Sequence, residues 1–434
     1  MSRLPLEGVR VVDMTAVIGA PYGTMMLADL GAEVIRVESC NYFPSTTRGY
    51  QARPQKELIP RLGPVGRGYP DYDPGQRPWN RFALFNCHGV NKLSMTADLL
   101  QPEGRAIVEE LVRISDIMVE NMTGALEKLG LGYDRLRRVS PDLIMVSVSG
   151  MGATGPYRNL RGYGQIFEDV LGHAWLRGYP DDHPQSLTQA VASDPAAGAG
   201  LVWASMAALH YRDVTGRGQY IDMSMAENYI HHLGSTFVDY AMNRRVQRTT
   251  GNRHPFLAPH GCYRCKGDDR WVTIAVRNDE EWRALRRAMG PSEEGWARDR
   301  RFADGYRRLR NQDELDRRIE GWTCRHTPKA IQERLQRAGV AAGAVMDIAD
   351  IFNDEHLRQR GFFQRIDHPE AGSHDYPVAL WQMSSSRFEV RQTPPLLGEH
   401  NEYVYRQLLA VPESDYRRLE AEGHIGMEYA PDIP

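Results

Sequence analysis

Short apolar runs alternate with amphipathic segments through the first half of the chain. Residues 9–14 predict a strand, and a glycine-bearing turn at 19–21 leads into a predicted helix over 22–30. Residues 32–38 predict a second strand. Because a strand, a helix and a strand within about thirty residues form a βαβ unit, the two strands are expected to be parallel.

The same alternation continues to residue 150. Apolar runs at 90–99 and 141–150 predict two further strands, and the segment 102–117 between them predicts an amphipathic helix. These elements indicate a doubly wound α/β domain. Between residues 40 and 79 the periodicity disappears, and proline, glycine, tyrosine and arginine accumulate. A polar stretch of this length inside a domain is more often functional than idle, so we expect a lid over a site.

The stretch from Leu187 to Glu227 predicts a long helix with an acidic residue at its start. An apolar helix is expected over 196–211, followed by a glycine break and a short strand at 220–224. Asp194 occupies the expected N-cap position and Pro195 the first helical position. The helix N–H groups and the helix dipole are expected to keep the Asp194 carboxylate ionised. Such a carboxylate can cap the helix or attack an electrophile, and on the residues alone capping is the commoner role.

The second half of the chain predicts shorter and more scattered elements. They are a polar helical segment at 228–253, a strand at 270–276, helices at 280–290 and 330–338, and one or two short amphipathic helices within 405–434. Residues 339–400 are irregular and rich in proline. A segment of that length without a core pattern behaves as a linker.

The length and charge of the chain narrow the class of protein. At 434 residues the chain exceeds one ordinary core, so two domains are expected. The net charge of −3 gives no electrostatic reason to expect nucleic acid, and no apolar run is long enough to cross a bilayer. The first residues carry no apolar leader, and five scattered cysteines suit a reducing compartment. We therefore expect a cytoplasmic protein with no nucleic-acid or membrane partner.

Three local motifs have a simpler explanation than a binding site. Glu38 ends the second strand as a ribose-binding acid would, but Gly19–Gly23 is not G-x-G-x-x-G, which disfavours NAD. Cys262 and Cys265, with a histidine nearby, lack the rest of a tetrahedral set, so no metal is expected. The glycine-rich run at 150–157 predicts a flexible surface loop.

Beyond these local patterns, the whole chain resembles the family III CoA-transferases. That group contains formyl-CoA, carnitine and bile-acid CoA-transferases and the α-methylacyl-CoA racemases. The resemblance rests on the segments LPLEGVRVVDMT, APYGTMMLADLGAEVIRVE, NKLSMTADLLQPEGR, VENMTGALEKLGLGYDRL, VSVSGMGATGPY, VASDPAAGAG, TGRGQYIDMS, DEHLRQRGFF and PPLLGEHN. No single segment is decisive, but their colinear order is very specific.

The resemblance implies covalent catalysis by Asp194, because the catalytic aspartate of that family precedes the long helix at this position. Its carboxylate would attack the thioester carbonyl of an acyl-CoA donor, expected to be succinyl-CoA, giving a mixed anhydride and then an aspartyl-CoA thioester. The acceptor acid would take CoA by the reverse steps. Both intermediates hydrolyse, so water must be excluded. The CoA thioester is the substrate, and no tightly bound cofactor is implied.

The resemblance also implies the CoA-binding positions and the nature of the acceptor. The CoA-binding residues would be Ala16, Val17, Ile18, Arg36, Asn121, Met122, Lys128, Leu129, Arg161 and Tyr163. Ile18 stands where the formyl-CoA:oxalate enzymes carry a polar amide, and Asn252–Leu257 replaces their glycine run. Gly164 also replaces a residue that is acidic or polar in relatives. Since the first two changes make the pocket more apolar, the expected acceptor is larger than oxalate, such as an aryl- or alkyl-substituted succinate, a carnitine-like acid or a bile acid.

Two other activities are compatible with the same resemblance. A racemase would exchange the α-proton of an acyl-CoA and needs a second acid or base opposite the aspartate, usually a histidine. That position is Tyr163 here, which disfavours racemisation. A weakly catalytic, CoA-binding subunit of a heteromeric transferase is the other alternative, and the retained Asp194 disfavours it.

The architecture implied is a large Rossmann-like α/β domain with a parallel sheet and a smaller α+β domain, joined by long linkers in an interlocked dimer. The expected division is a CoA-binding domain over 1–198, a linker helix at 199–221, a small domain at 222–330, a second linker at 331–396 and a return to the large domain at 397–434. Such a dimer buries far more surface than an ordinary interface, so no stable folded monomer is expected. Whether its two chains are alike or form a heteromer with a related subunit stays open, as do the acceptor and the stereochemistry.

Overall fold

The computed structural model describes residues 4–63, 67–186, 191–378 and 381–434. The first four residues of the predicted stretch 187–227 lie outside the described residues. So do residues 64–66 of the predicted lid and residues 379–380 of the predicted second linker.

A six-stranded parallel sheet forms the centre of the first of two compact units. Its strands are β1 Arg10–Met14, β2 Glu33–Glu38, β3 Lys92–Thr96, β4 Ile117–Glu120, β5 Ile144–Ser149 and β6 Gln219–Ser224. They lie in the order β3-β2-β1-β4-β5-β6, with each neighbouring pair parallel. This is the order of doubly wound folds, so the α/β prediction is confirmed. The chain reverses its direction of travel across the sheet between β1 and β4, which is where such folds bind ligands.

Helices cover both faces of this sheet. The helices of this unit's first part are α1 Gly19–Asp29, α2 Ala83–Gly89, α3 Pro102–Arg113, α4 Ala125–Lys128, α5 Tyr133–Val139, α6 Gly164–Val170, α8 Ser193–Thr215 and α9 Met225–Ile230. The second unit contains α7 His173–Leu176, and α10 Gly234–Asn243 spans the division between the units. Val11 packs with α1 and α8 in one core cluster, and its neighbour Val12 packs with α3 in the other. Successive strand residues point to opposite faces, so a strand buried on both faces is largely apolar.

Helices α1 and α8 touch through their backbones. A Cβ on Gly23 would lie 2.9 Å from the Gly198 carbonyl oxygen, and a Cβ on Gly198 would lie 2.9 Å from the Gly19 carbonyl oxygen. Only glycine permits so close an approach at these positions. The beginnings of α1 and α8 are therefore held against each other.

The C-terminal part of the first unit adds a hairpin and two helical segments. These are β10 Phe363–His368, β11 Gly372–Pro377, a π-helical segment Tyr403–Leu408 and a helix Glu413–Ala421. Ile366 of the hairpin joins the core cluster of α1 and α8, while Leu419 joins the cluster of α3.

The second unit has its own antiparallel sheet and core. Its strands are β7 His260–Arg264, β8 Trp271–Ala275 and β9 Ala341–Ala344, in the order β7-β8-β9. The helices that follow β8 are α11 Asp279–Met289, α12 Pro291–Ala297, α13 Gly305–Arg310, α14 Gln312–Thr323, α15 Pro328–Arg337, α16 Ile348–Phe352 and α17 Glu355–Gln359, which makes the helix Glu413–Ala421 α18. Trp282, Leu285 and Trp322 are buried in its core.

The boundaries between the two units differ from the predicted domain boundaries. The first unit takes the described parts of Met1–Gly172, Gln189–Val238 and Gln359–Pro434, and the second takes those of His173–Thr188 and Asp239–Arg358. The predicted linker helix at 199–221 belongs to the first unit because Leu201 and Ala208 are buried in its core. Much of the predicted linker at 331–396 is also structured, by α15, β9 and the hairpin.

Three predicted elements differ locally. The predicted helix over 102–117 ends at Arg113, and Ile117 begins β4, a strand that the pattern did not predict. The predicted helical segment 228–253 ends at Asn243. Helix α1 begins at Gly19, three residues before its predicted start, because Pro21 is tolerated within a first helical turn.

Candidate active site

A cavity of about 720 Å³ opens at the carboxyl ends of β1, β4 and β5. All the residues that line it belong to the first unit. The predicted site residues that line it are Ala16, Val17, Ile18, Asn121, Lys128, Arg161, Tyr163 and Asp194. Its position next to the reversal between β1 and β4 and its size are those of a small-molecule or cofactor site.

Asp194 lies in the first turn of α8 and not at its N-cap, so that prediction is wrong. The helix begins at Ser193, and the N-cap residue is Ala192, which has no side-chain cap. The Asp194 side chain is buried, and its carboxylate accepts a hydrogen bond from the backbone N–H of Gly19, the first residue of α1. Its oxygens therefore face the start of a neighbouring helix and the cavity.

Glu168 of α6 performs the capping that the sequence assigned to Asp194. Its fully buried Oε1 accepts hydrogen bonds from the N–H groups of Ala192, at 2.6 Å, and Ser193, at 2.9 Å. Sequence reasoning missed Glu168, since a partner 24 residues away leaves no local signal.

The carboxylate of Asp194 occupies space that two glycines leave open. A Cβ on Gly164, the first residue of α6, would lie 2.0 Å from Asp194 Oδ2 and 2.8 Å from its Cγ. A Cβ on Gly19 would lie 2.9 Å from Asp194 Oδ1. The carboxylate thus lies against the first residues of α1 and α6, and both of these residues are glycines without a side chain.

Burial raises the pKa of the Asp194 carboxyl group above its ordinary value. The Gly19 N–H opposes this shift, and the nearby charge of Glu168 adds to it. The start of α8 was expected to hold the carboxylate ionised, but the N–H that reaches it is that of Gly19 at the start of α1, and this hydrogen bond offsets only part of the shift that desolvation causes. Perturbed carboxyl groups in cavities are frequent at catalytic sites.

The loop between β1 and α1 is held in a strained shape. Val17 has a φ of 70°, which is unfavourable for a β-branched residue, and its N–H donates to Thr47 Oγ1 at 3.0 Å. The side-chain amide of Asn121 pairs with both backbone groups of Ala16, at 2.8 Å each. Such strain persists only where the surroundings enforce it and is typical of functional sites. Asn121 therefore shapes the wall of the cavity.

Cationic side chains lie on the wall of the cavity. Lys128 at the end of α4, Arg161 and Arg158, which the sequence analysis did not single out, all line it and are exposed. Acidic Asp194 lies in the same cavity. Exposed cations in a cleft attract anionic groups such as phosphates and carboxylates.

Three of the predicted CoA-binding residues, Arg36, Met122 and Leu129, are not among the described residues that line this cavity. Met122 and Leu129 pack against the core cluster of α3. Arg36 is buried and lies 3.2 Å from Glu38 Oε1 and 3.7 Å from Asp13 Oδ2, so its charge is already compensated. A phosphate contact from Arg36 is therefore not supported by its position.

Glu38 is also paired with a buried arginine, so its carboxylate is not available to bind the ribose of a dinucleotide. Arg48 binds its two carboxylate oxygens at 2.7 Å each, and both side chains are buried. Burial alone would raise the pKa of Glu38, but Arg48 and Arg36 outweigh it and lower the pKa to about 2. This ion pair also anchors the 40–79 segment, whose Ser45, Thr46 and Tyr50 line the cavity.

The glycine-rich run after β5 has a defined place at this site. Gly150 lines the cavity, and a Cβ there would lie 2.0 Å from Phe167 Cζ. The Ala153 N–H donates to Asp222 Oδ1 of β6 at 2.8 Å. The run is therefore anchored to β6 at Ala153, while residues 153–157 are exposed, as the prediction of a surface loop expects.

With this geometry established, comparison with known proteins identifies the family. The sequence profile described as CoA-transferase family III matches residues 6–401, and the chain belongs to that family. It is a CoA-transferase that acts on CoA thioesters. No helix among the described residues has the length and apolar character needed to span a membrane.

Individual relatives match over nearly the whole chain. The succinyl-CoA–D-citramalate CoA-transferase of Chloroflexus aurantiacus is 32% identical over 420 residues, covering 96% of this chain and 97% of that protein. The beta subunit of succinyl-CoA–L-malate CoA-transferase from the same organism is 32% identical over 423 residues, covering 96% and 98%. The crystal structure of a CAIB/BAIF family protein from Brucella suis superposes with a TM-score of 0.77 at 30% identity, covering 94% of this chain and 100% of that one.

Proposed function

We propose that this chain moves CoA from succinyl-CoA to a substituted dicarboxylic acid of the alkyl- or arylsuccinate type. The relatives named above use succinyl-CoA, and their acceptors, citramalate and malate, are short dicarboxylic acids. The cavity suits such an acceptor because Ile18, Phe167 and Met225 supply apolar walls while Arg158 supplies a cation. A carnitine-like acid is a less favoured acceptor, since its trimethylammonium group would face this cation.

The proposal rests on one observation: the Asp194 carboxylate does not cap its own helix and faces the cavity. One of its oxygens would attack the thioester carbonyl carbon, and the C–S bond would break to give a mixed anhydride and CoA thiolate. The thiolate would then attack the aspartyl carbonyl and expel succinate, leaving an aspartyl-CoA thioester. The acceptor carboxylate would attack that thioester and release the thiolate, which would take the acceptor acyl group and free Asp194. No net proton is consumed.

The surroundings of Asp194 support each of these steps. Burial weakens the hydration of the carboxylate and so increases its reactivity toward a carbonyl carbon. The Gly19 N–H lies where negative charge develops on the aspartyl oxygen during the thiolate's attack, and a preorganised donor there stabilises the transition state. Both intermediates also need protection from water, which the largely enclosed carboxylate favours.

The CoA moiety would extend from Asp194 along the ends of β1 and β4. We propose that Ala16, Val17, Ile18 and the Asn121 backbone contact the pantetheine arm. Lys128 and Arg161 would meet the phosphates, and exposed Tyr163 would pack against the acyl or pantetheine chain. The described part of the 40–79 segment would cover the bound thioester.

The proposed assembly is an interlocked dimer of like chains or of this chain with a related subunit. Trp203 and Val214 of α8 are 76% and 72% exposed, which leaves an apolar helix face for a partner to cover. The succinyl-CoA–L-malate CoA-transferase relative is itself the beta subunit of an enzyme that also has an alpha subunit. Light scattering after size-exclusion chromatography tests this, and a folded monomer would contradict it. A cytoplasmic location stays a prediction from the cysteine content.

The central experiment incubates the purified chain with succinyl-CoA and a panel of methylsuccinate, phenylsuccinate, citramalate and a carnitine-like acid. Hydroxylamine added after succinyl-CoA should trap the acylated aspartate, and peptide mass spectrometry should locate the hydroxamate on Asp194. Asp194→Asn keeps the size of the side chain but should reduce transfer by about a thousand-fold or more.

The alternative activities give different results in the same assay. Deuterium incorporation into a chiral 2-methylacyl-CoA without acyl exchange would indicate a racemase. Activity that appears only after a related subunit is added would indicate the partner role. Full transfer by Asp194→Asn would refute the covalent mechanism.

A further inference from the structure

The start of α8 carries backbone N–H groups that its own first turn does not satisfy. The first N–H groups of a helix lack an intrahelical partner, and an N-cap side chain usually supplies one. The N-cap residue here is Ala192, which has no polar side chain, and Pro195 has no N–H. The Ala192 and Ser193 N–H groups therefore need an acceptor from another element.

Helix α6 supplies that acceptor and also makes room for the nucleophile. Glu168 Oε1 accepts from Ala192 N at 2.6 Å and from Ser193 N at 2.9 Å, and the side chain has 0% exposure. Gly164, one turn earlier on the same helix, leaves open the space that the Asp194 carboxylate fills. Ser193 Oγ further ties the two helices by donating to the Gly164 carbonyl oxygen at 3.0 Å.

Without Glu168, the Ala192 and Ser193 N–H groups would be left without a side-chain acceptor in a buried place. Asp194 carries a carboxylate in the same first turn, so these N–H groups would then compete for it. A carboxylate turned back to its own helix start cannot approach a carbonyl carbon at the roughly 3–3.5 Å needed for attack. With Glu168 in place, Asp194 faces the Gly19 N–H and the cavity instead.

We propose that Glu168 is a positioning residue for CoA transfer, which caps α8 and so leaves the Asp194 carboxylate directed into the cavity. The proposal rests on the proposed function, because this role has a catalytic consequence only if Asp194 is the nucleophile. Glu168 is not among the described residues that line the cavity. It should therefore govern the attack by Asp194 and not the binding of succinyl-CoA.

The charge of Glu168 offers a second readout. From outside α8, the groups that act on the Asp194 carboxyl are Glu168 of α6 and the Gly19 N–H of α1. Burial raises the pKa of Asp194 most, Gly19 lowers it and Glu168 raises it. Glu168→Gln keeps an acceptor oxygen for the two N–H groups but removes the charge. It should therefore move the acidic limb of kcat/KM to lower pH.

The experiment compares Glu168→Ala, Glu168→Gln and the matched control Asp169→Ala, which changes the exposed acid next to it on α6. Each purified full-length variant is assayed for kcat, for KM for succinyl-CoA and for the rate of hydroxylamine trapping. Glu168→Ala should lower kcat and the trapping rate about 100-fold, because a displacement of about 1 Å is enough for a loss of that size. Its KM should stay unchanged, Glu168→Gln should restore most of kcat, and Asp169→Ala should behave as wild type.

Three results would overturn the proposal. One is a folded Glu168→Ala with wild-type kcat, and another is a raised KM with kcat unchanged. The third is a Glu168→Gln that is folded but as inactive as Glu168→Ala, since the charge and not the cap would then be required. If Glu168→Ala does not fold, the Glu168→Gln result decides. Asp194→Asn, assayed in parallel, separates a failure of the proposed function from a failure of the positioning role. Transfer by Asp194→Asn would refute the proposed function. An inactive Asp194→Asn beside a fully active Glu168→Ala would refute the positioning role alone.

Discussion

The sharpest test of the site geometry is Gly164→Ala, which adds one methyl group beneath the nucleophile. The new Cβ would lie 2.0 Å from Asp194 Oδ2, 2.8 Å from Asp194 Cγ and 2.9 Å from Ser193 Oγ. Real Cβ atoms essentially never approach a heavy atom closer than 3.0 Å, so the carboxylate must move by about 1 Å or more. It has little freedom to move, because the start of α1 borders it through Gly19.

The expected loss follows from that displacement. A 1 Å misplacement of a reacting group costs about 100-fold in rate, which corresponds to about 2.7 kcal/mol in the barrier. Overpacking of a buried position costs a further 1–3 kcal/mol or so in the free energy of unfolding. We therefore expect kcat to fall about 100-fold with KM for succinyl-CoA little changed, and the melting temperature to fall moderately.

The assay is steady-state transfer from succinyl-CoA, with kcat and KM measured beside a thermal melt. Gly321→Ala is the matched control, because Gly321 lies inside α14 and, apart from its chain neighbours and the backbone of its own helix, no heavy atom of the described residues lies within 4 Å of its added Cβ. That control should keep full activity and gain about 0.5–1 kcal/mol in stability, as alanine is the better helix former. A folded Gly164→Ala with wild-type kcat would refute the view that the position of the Asp194 carboxylate controls the reaction.

Three further predictions concern stability. Because burial raises the pKa of Asp194, its neutral form stabilises the fold below the unfolded pKa of about 3.9, and this contribution is lost as pH rises through the folded value. Asp194→Asn should therefore melt higher than wild type at pH 7 but not near pH 3, and an unchanged or lower melting temperature at pH 7 would contradict this. Arg48 and Arg36 lower the pKa of Glu38 to about 2, against the effect of burial. The ionised Glu38 therefore adds to the free energy of unfolding above its unfolded pKa of about 4.3, and this stabilisation is lost as pH falls toward 2. Glu38→Gln should cost about 3 kcal/mol in urea unfolding at pH 7 and less at pH 3; a cost independent of pH would argue against the ion pair as its source. At Val17, with its φ of 70°, Val17→Gly should be more stable than Val17→Ala by about 1 kcal/mol, since both lose the two γ-methyl groups and only alanine keeps the Cβ that is strained in the left-handed region. The same urea titration measures the difference, and a more stable alanine variant would show that the strain is absent.

Local patterns were enough to predict much of the large unit. The βαβ unit of β1, α1 and β2, the strands β3, β5 and β6, and the long helix α8 all follow from residue spacing of two or 3.6 and from glycine breaks. The position of Asp194 near the start of α8 followed in the same way. Strand β4 was missed because it is four residues long and follows α3 closely, so its apolar residues extend the helical pattern.

The interactions that make the site were decided by the tertiary structure. Sequence analysis placed Asp194 at a cap and Arg36 near a phosphate, but Glu168, 26 residues before Asp194, took over the cap, and Glu38 and Asp13 took up the charge of Arg36. Which segments become strands and helices was readable from the residues alone, because the spacing of apolar positions is a property of neighbours along the chain. Which buried polar group finds which partner depends on elements brought together across the sheet, and no local pattern records that choice.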